Sequence, residues 1–527
     1  MKFFGIPCFV YGNTAGERKT DICNAIIFTL YYYMRFIKLI LLSCCIAQGV
    51  TAETRDSLSY HIEATATAGG GDYAPLWFTA NRYGLSSVNP NSAWLRAGVE
   101  YNKKMNHHWK MKAGADLAGG YNLTQNIIVQ QAYVDIAWRC LQLSMGSKER
   151  NPLGKDLYLS SGAMVEEGNA RPVPQVRAEI EDYVPVPGTK KWLSFKGHFA
   201  YGAFTDGNWQ EDFARPHYKT YVKNTLYHTK SAMFRIGNTE KRPWEFEIGL
   251  LVSSQFGADQ YKWNKKTNSW DIFDMPDGFK DYINMIIPTE GGENTPGGDQ
   301  VNVAGNFIGS WNTAFTYYWK DWKFRVYYEH MFEDESQMFM QYGRWKDGHL
   351  GLEVTLPKNP WVSKVLWEGL ATKDQSGPIL YDGFLGSFDY QISAADKYYN
   401  NYFYQGWQHW GMGMGNPLLP GPIYNKDGSL MFRSNRTKAN HLAFCGNPTD
   451  EWNYRVKLSY AKHWGTYENP LDEIKKQFSS YYEVGYRPKQ LKGWNFSAAL
   501  GWDQGDYLGN SVGGMITIRK EGVLWKR

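Results

Sequence analysis

Apolar side chains in this chain recur at every second position, segment after segment, and that period fits an extended strand with two unlike faces. Leu58, Tyr60, Ile62, Ala64, Ala66 and Ala68 alternate with Ser59, His61, Glu63, Thr65 and Thr67. Leu95, Ala97, Val99 and Tyr101 alternate with Arg96, Gly98, Glu100 and Asn102. The pattern continues through Trp109–Leu117 and Ala132–Trp138, and reaches the C-terminus through Trp494–Trp502 and Val512–Ile518. Near Cys140 the phase flips, as it must when two strands meet across a tight turn, and Lys320–Asp321 is a second such turn.

A soluble β-sandwich and a membrane barrel both alternate. Composition separates them. Aromatic residues make up 16% of the 527 positions, yet mean hydropathy is −0.51. No run of about 20 apolar residues, the length of a spanning helix, occurs in the body of the chain. A barrel puts only alternate residues against lipid and needs Tyr and Trp for two interfacial girdles. Trp109, Trp138, Trp319, Trp322, Tyr454, Trp494 and Trp502 end apolar faces as girdle residues do. The expected fold is therefore all-β, a transmembrane antiparallel β-barrel in the outer membrane of a Gram-negative cell. No blade-length repeat supports a propeller. The formal net charge of +5 gives no reason to expect a nucleic-acid partner.

An export signal begins inside the chain. Met34-Arg35-Phe36-Ile37-Lys38 is a basic start, Leu39–Ala47 an apolar core, and Val50-Thr51-Ala52 a small-residue cleavage pattern. Residues 34–52 thus read as a signal peptide, 1–33 as an over-long start, and 53–527 as one barrel domain. A lipid-attachment box at Leu41-Leu42-Ser43-Cys44 is the rival reading. Cleavage leaves Cys140 and Cys445, which one disulfide could join.

The remaining length suits about 16 to 20 strands. Candidate loops are 150–190, 205–230, 257–305, 333–350, 370–450 and 461–480. Residues 69–92 do not alternate, and Pro75, Leu76, Trp77, Phe78 and Tyr83 suggest either a short helical plug over 75–85 or an ordinary long turn. Gly411–Gly415 reads as a flexible loop.

Motifs for nucleophilic catalysis, metalloprotease chemistry, phosphate loops and dinucleotides are missing. Glu329, Glu333, Asp334 and Glu335 with His330 form the densest acidic cluster. It reads as a solvated loop tip, with Ca²⁺ binding or carboxylate catalysis as alternatives. No cofactor and no metal is expected. Interior-facing positions carry both signs, including Arg96, Lys112, Arg325, Arg455, Lys457, Glu100, Asp116, Asp135, Glu247 and Asp503. Such groups need water or ion pairs, so the lumen is a hydrated channel or a salt-bridged, occluded one.

Several segments carry more than alternation. They are Asn169-Ala-Arg-Pro-Val-Pro-Gln175, Gly305-Asn-Phe-Ile-Gly-Ser-Trp311, Tyr327-Tyr-Glu-His-Met-Phe-Glu-Asp-Glu-Ser336, Thr372-Lys-Asp-Gln-Ser-Gly377, and Tyr398-Tyr-Asn-Asn-Tyr402 with Gly406-Trp407 and Gly415-Asn-Pro417. In this order they resemble the capsule-assembly Wzi family in its Bacteroides-type form. The resemblance implies a barrel of about 18 strands and a non-enzymatic, lectin-like role in holding capsular or extracellular polysaccharide at the surface. The partners it implies are that polymer and outer-membrane lipid, and the barrel is expected to be a monomer. A porin or transporter for small polar solutes is the alternative. Sugars bind by stacking on aromatic rings and by planar hydrogen bonding. The candidate ligand residues are Tyr398, Tyr399, Asn400, Tyr402, Trp407 and Trp410, with Arg171 and Gln175 in the Pro-braced segment. The aromatic set reads first as girdle and loop-packing residues, and Arg171 and Gln175 read also as turn-shaping residues.

Overall fold

In the computed structural model, alternation becomes a closed ring of 18 antiparallel strands. The structure describes residues 56–286, 305–333, 338, 346–375, 379–380, 393–394 and 397–527. The export signal and the residues before it lie outside the described residues.

The first six barrel strands are β1 (Ser57–Gly71), β2 (Ser92–Lys104), β3 (Trp109–Tyr121), β4 (Ile127–Trp138), β5 (Leu141–Ser147) and β6 (Gln175–Pro185). Next come β7 (Leu193–Ala203), β8 (Leu226–Ile236), β9 (Trp244–Phe256), β10 (Asn306–Trp319), β11 (Trp322–Phe332) and β12 (Gly348–Thr355). The ring is completed by β13 (Lys364–Ala371), β14 (Thr437–Gly446), β15 (Trp452–Gly465), β16 (Pro470–Tyr486), β17 (Trp494–Gly505) and β18 (Ser511–Lys526). Each strand pairs with its sequence neighbours, and β1 closes the ring on β18, with Ala64 opposite both Leu95 and Ile518. Closure leaves no unpaired sheet edge, which a chain in hydrocarbon cannot tolerate.

The two faces separate as alternation requires. Ile62, Leu95, Val99, Leu117, Ile136, Leu500 and Ile516 are exposed on the outer wall, while Asp116, Asp135, Lys457 and Asp503 are buried inside. The phase flip falls at Arg139–Cys140, where Trp138 pairs with Leu141. Trp319 likewise pairs with Trp322 across Lys320–Asp321. Arg139 and Lys320 both take positive φ, as this turn demands. Exposed Trp109, Trp319, Trp452 and Trp494 sit beside the short turns at one end. Short turns face the periplasm in such barrels, so these rings form the periplasmic girdle. Leu500 is 66% exposed midway along β17, whereas its neighbour Ala499 points inward. Leu500→Arg should cost about 2–4 kcal/mol of stability in lipid vesicles, measured by equilibrium unfolding. A variant as stable as the parent would place Leu500 away from lipid.

Five expectations are corrected. The loop expected over 150–190 ends at β6, which begins at Gln175. The loop expected over 370–450 contains β14. The loop expected over 461–480 is the outer ends of β15 and β16, joined by a turn at 466–469. Gly411–Gly415 is buried rather than flexible in solvent. Cys140 and Cys445 are not joined by a disulfide.

Candidate functional site

Three long connections from the extracellular end turn inward and fill the lumen: residues 72–91, 148–174 and 397–436. The first carries one helical turn, α1 (Leu76–Thr79), whose four residues are all buried. The helical plug expected over 75–85 is one turn within a larger plug. The α1 turn lies against the wall at Gly501, where a Cβ would come 2.7 Å from Pro75 and 2.8 Å from Phe78. The second connection runs deepest. Its Asp156 accepts a hydrogen bond from Lys364 (2.5 Å) and its Tyr158 carbonyl accepts one from Arg455 (3.0 Å), both near the periplasmic starts of their strands. Gly415 in the third passes beside Tyr399 and the Met164 carbonyl with no room for a side chain.

The three connections interlock through backbone and amide bonds. Tyr83 N–H donates to the Gly168 carbonyl (2.7 Å) and Glu167 N–H to that of Met414 (2.8 Å). Trp407 Nε1 donates to the Val165 carbonyl (2.9 Å), and Asn169 Nδ2 to that of Gly413 (2.9 Å). Leu76, Trp77, Phe78, Met164, Val165, Trp407, Leu418 and Phe432 belong to one buried apolar cluster, so the plug has a core of its own.

Charged wall residues hold this plug. Glu368 accepts from Ser160 Oγ (2.6 Å), Ser161 N–H (2.6 Å) and the Tyr327 hydroxyl. Glu329 accepts from Met164 N–H (3.0 Å) and pairs with Lys155 (3.2 Å). Glu329 and His330 are therefore buried members of β11, which corrects the solvated loop tip expected there. Glu333 accepts from Tyr399 N–H (2.8 Å), and Asp334 and Glu335 lie outside the described residues. Elsewhere the inner wall is ion-paired: Lys112–Glu100 at 2.8 Å, Lys148–Asp135 at 2.7 Å, Arg235–Glu247 at 2.9 Å and Arg455–Glu483 at 2.8 Å. Of the two lumen states open to the sequence, the salt-bridged and occluded one is realised.

The sequence-derived ligand residues divide by placement. Tyr398, Tyr399 and Trp407 are buried inside the plug. Asn400 brackets the Phe432 backbone, accepting from its N–H (2.7 Å) and donating to its carbonyl (2.9 Å). Arg171 lies over the Trp410 ring at 4.1 Å, and both are buried. Gln175 opens β6 and lines a cavity beside the plug. Tyr402 alone of the set is largely exposed, at 55%.

Tyr402 borders an aromatic surface whose details the sequence concealed. Tyr221–Lys223, Asp259–Asn264 and Ser269–Asp274 form a three-stranded sheet at the extracellular end, outside the barrel ring. On one face, Tyr218 contacts Trp263 (4.9 Å between rings) and Trp263 contacts Trp270 (5.5 Å). Below them Tyr221 stacks on Tyr261 at 4.8 Å, backed by α2 (Trp209–Ala214). On the other face Lys262 donates to the Tyr402 hydroxyl (2.5 Å). Tyr218 is 62% exposed, and Trp263 and Trp270 are half-buried. Stacking rings on one face of this sheet, with Lys262 and Tyr402 on the other, stand at the extracellular end, a combination suited to sugar rings. The available signal was a period of two across Tyr261, Trp263, Trp270 and Ile272, interrupted by Lys265–Asn268, inside a segment read only as loop.

His409 ties the plug to the 204–225 connection. Its Nδ1–H donates to the Arg171 carbonyl (2.9 Å), while Nε2 accepts from Thr205 N–H (3.1 Å). Burial, only partly offset by the backbone carbonyls, pushes its pKa down from 6.5 to about 4. The unfolded imidazole therefore takes up a proton that the folded one refuses. This contribution is complete above pH 6.5 and is lost as pH falls toward 4, about 3 kcal/mol in all. Unfolding midpoints at pH 7 and pH 4.5 should differ less in His409→Asn than in the parent. Equal differences would assign the acid sensitivity to other groups.

Comparison with known proteins yields fold likeness. No family model matches, and no curated protein matches. The structure of Wzi from Escherichia coli, described as an outer-membrane protein involved in group 1 capsule assembly and a carbohydrate-binding β-barrel, superposes with TM-score 0.52 at 13% identity, covering 87% of this chain and 83% of that one. OpdL of Pseudomonas aeruginosa gives TM-score 0.43 at 8% identity over 89% and 99% of the two chains. OprD of the same organism gives 0.42 at 9% over 90% and 95%. At 13% identity, the likeness to Wzi is one of fold. Together with the closed ring, the apolar outer wall and the Trp girdle, it identifies this chain as an 18-strand outer-membrane β-barrel.

Proposed function

We propose that this protein binds capsular or extracellular polysaccharide at the cell surface and holds it there without chemically changing it. The observation that carries the reading is a barrel closed by its own loops that presents an aromatic edge outward. A pathway for solutes would need an open lumen, and here the apolar plug cluster crosses it. The sheet bearing Trp263 and Trp270, with Tyr218 against them and Tyr402 on its other face, offers stacking faces on the side where polymer lies. The segments that resemble the Wzi family support the same reading, and so does the carbohydrate-binding description of the Wzi barrel. Of the candidate residues, polymer contact is assigned to Tyr402, the one that is largely exposed. Arg171, Gln175, Tyr398, Tyr399, Asn400, Trp407 and Trp410 shape the surface from beneath.

A deletion strain tests this directly. Polymer should move from the cell-bound fraction to the medium while the total amount and chain length stay the same. Undiminished cell-bound polymer in that strain would overturn the proposal.

A further inference from the structure

Beside the plug, between residues 148–174 and the inner wall at β6–β9, lies a cavity of about 120 Å³. Its charges do not balance locally. Lys148 is matched by Asp135 (2.7 Å) and Arg177 by Glu179 (2.6 Å). Arg150 makes no ion pair among the described residues: Nη2 donates to Ser144 Oγ (2.8 Å) and Nη1 to the Lys148 carbonyl (3.2 Å). Its Nε is buried with no hydrogen-bond partner. Burial and the neighbouring Arg177 charge push the Arg150 pKa down, against the pull of Glu179, Asp135 and Glu166. Arg171, also lining the cavity and 7% exposed, is a second guanidinium without a carboxylate partner and with an orphaned Nε.

The acidic side of the cavity is weaker. Glu166 is engaged by Ser253 Oγ (2.6 Å) and the Tyr227 hydroxyl. Glu167 is pushed up to about 7 by burial, so near neutrality it carries only part of a charge. Its Oε1 is buried and unpartnered, as is Gln175 Oε1. Buried polar atoms almost always have partners, and the orphaned Nε donors of Arg150 and Arg171 at one cavity call for an acceptor there. Water can satisfy hydrogen bonds but leaves the Arg150 guanidinium without a counter-charge of its own.

We propose that this cavity binds a small oxyanion, a carboxylate or phosphate group, between Arg150 and Arg177. Charge-assisted hydrogen bonds from guanidinium groups suit such a ligand. Protonated Glu167 can donate to it as well. A cavity of about 150 Å³ accommodates a benzene ring, so an acetate-sized anion fits here. The site is independent of the aromatic edge, and its occupancy would brace the two ends of the 148–174 connection against the wall.

The full-length barrel, folded in detergent micelles at constant ionic strength, is titrated with acetate, phosphate, D-glucuronate or neutral glucose while its thermal midpoint is followed. Acetate or phosphate should raise the midpoint saturably and glucose should not. A rise with glucuronate as well supports the site and identifies acidic sugars as one source of the carboxylate. A rise confined to acetate and phosphate supports it with free anions as the source. Arg150→Gln should weaken the apparent affinity at least tenfold. No saturable rise, or an unchanged rise in Arg150→Gln, overturns the proposal. Should that variant fail to fold, selenate-soaked crystals of the parent protein provide the second measurement. Anomalous density between Arg150 and Arg177 supports the site, and water alone there overturns it.

Discussion

Glu368→Ala should turn a silent barrel into a leaky one and lower its unfolding free energy by about 3–5 kcal/mol. Glu368 is 1% exposed. It receives hydrogen bonds from Ser160, Ser161 and Tyr327, and His349 Nε2 lies 3.5 Å from it. Removing the carboxylate leaves the Ser161 amide and the Tyr327 hydroxyl buried without their acceptor, and each orphan is costly. Those bonds also fasten the deepest part of the 148–174 connection to the wall, so their loss frees the segment that closes the lumen. Planar-bilayer conductance is the decisive reading: the parent stays closed, and the variant shows openings. Glu368→Gln keeps the volume and part of the bonding, and should fall between them. An alanine variant as silent and as stable as the parent would mean that the plug is held by its own apolar core.

The second large effect belongs to the aromatic edge. Trp263→Ala combined with Trp270→Ala should weaken polysaccharide binding about tenfold to a hundredfold, because aromatic stacking contributes about 0.5–1.5 kcal/mol per ring beyond area burial. The sheet that carries both residues stands outside the barrel ring, so folding of the barrel should be unaffected. Binding of fluorescently labelled polymer to whole cells measures the effect. Full binding in the double variant would exclude this edge as the contact surface, whatever the deletion strain shows.

Legibility in the sequence followed the physical environment of each segment. Strands with lipid outside and charge inside announced themselves, as in β2, where Leu95, Ala97 and Val99 oppose Arg96 and Glu100. The limits of 257–305 and 333–350 were legible because the alternation stops there. β14 was not. Its inward residues include Ala439 and Ala443, buried against the plug, while Lys438 and Asn440 face outward. An apolar plug reverses the usual contrast between the two faces. The outer ends of β15 and β16 escaped for another reason. Lys475, Asp472 and Glu473 are polar residues of a ribbon beyond the membrane, so no contrast is left to read.

The sequence by itself determined the barrel, the lipid-facing set, the tight turns at Arg139–Cys140 and Lys320–Asp321, and the need to neutralise interior charge. Those properties are local: they depend on a period of two and on the cost of polar groups in hydrocarbon. Only the tertiary structure decided that the lumen is closed and that Tyr398, Tyr399 and Trp407 close it from within. It also decided that the exposed aromatic edge lies at Tyr218, Trp263 and Trp270. These outcomes rest on contacts between residues hundreds of positions apart, such as Trp407 with Val165 and Ser160 with Glu368. An aromatic residue in a loop has the same pattern in sequence whether it faces solvent or a plug, and only the fold of the connections chooses.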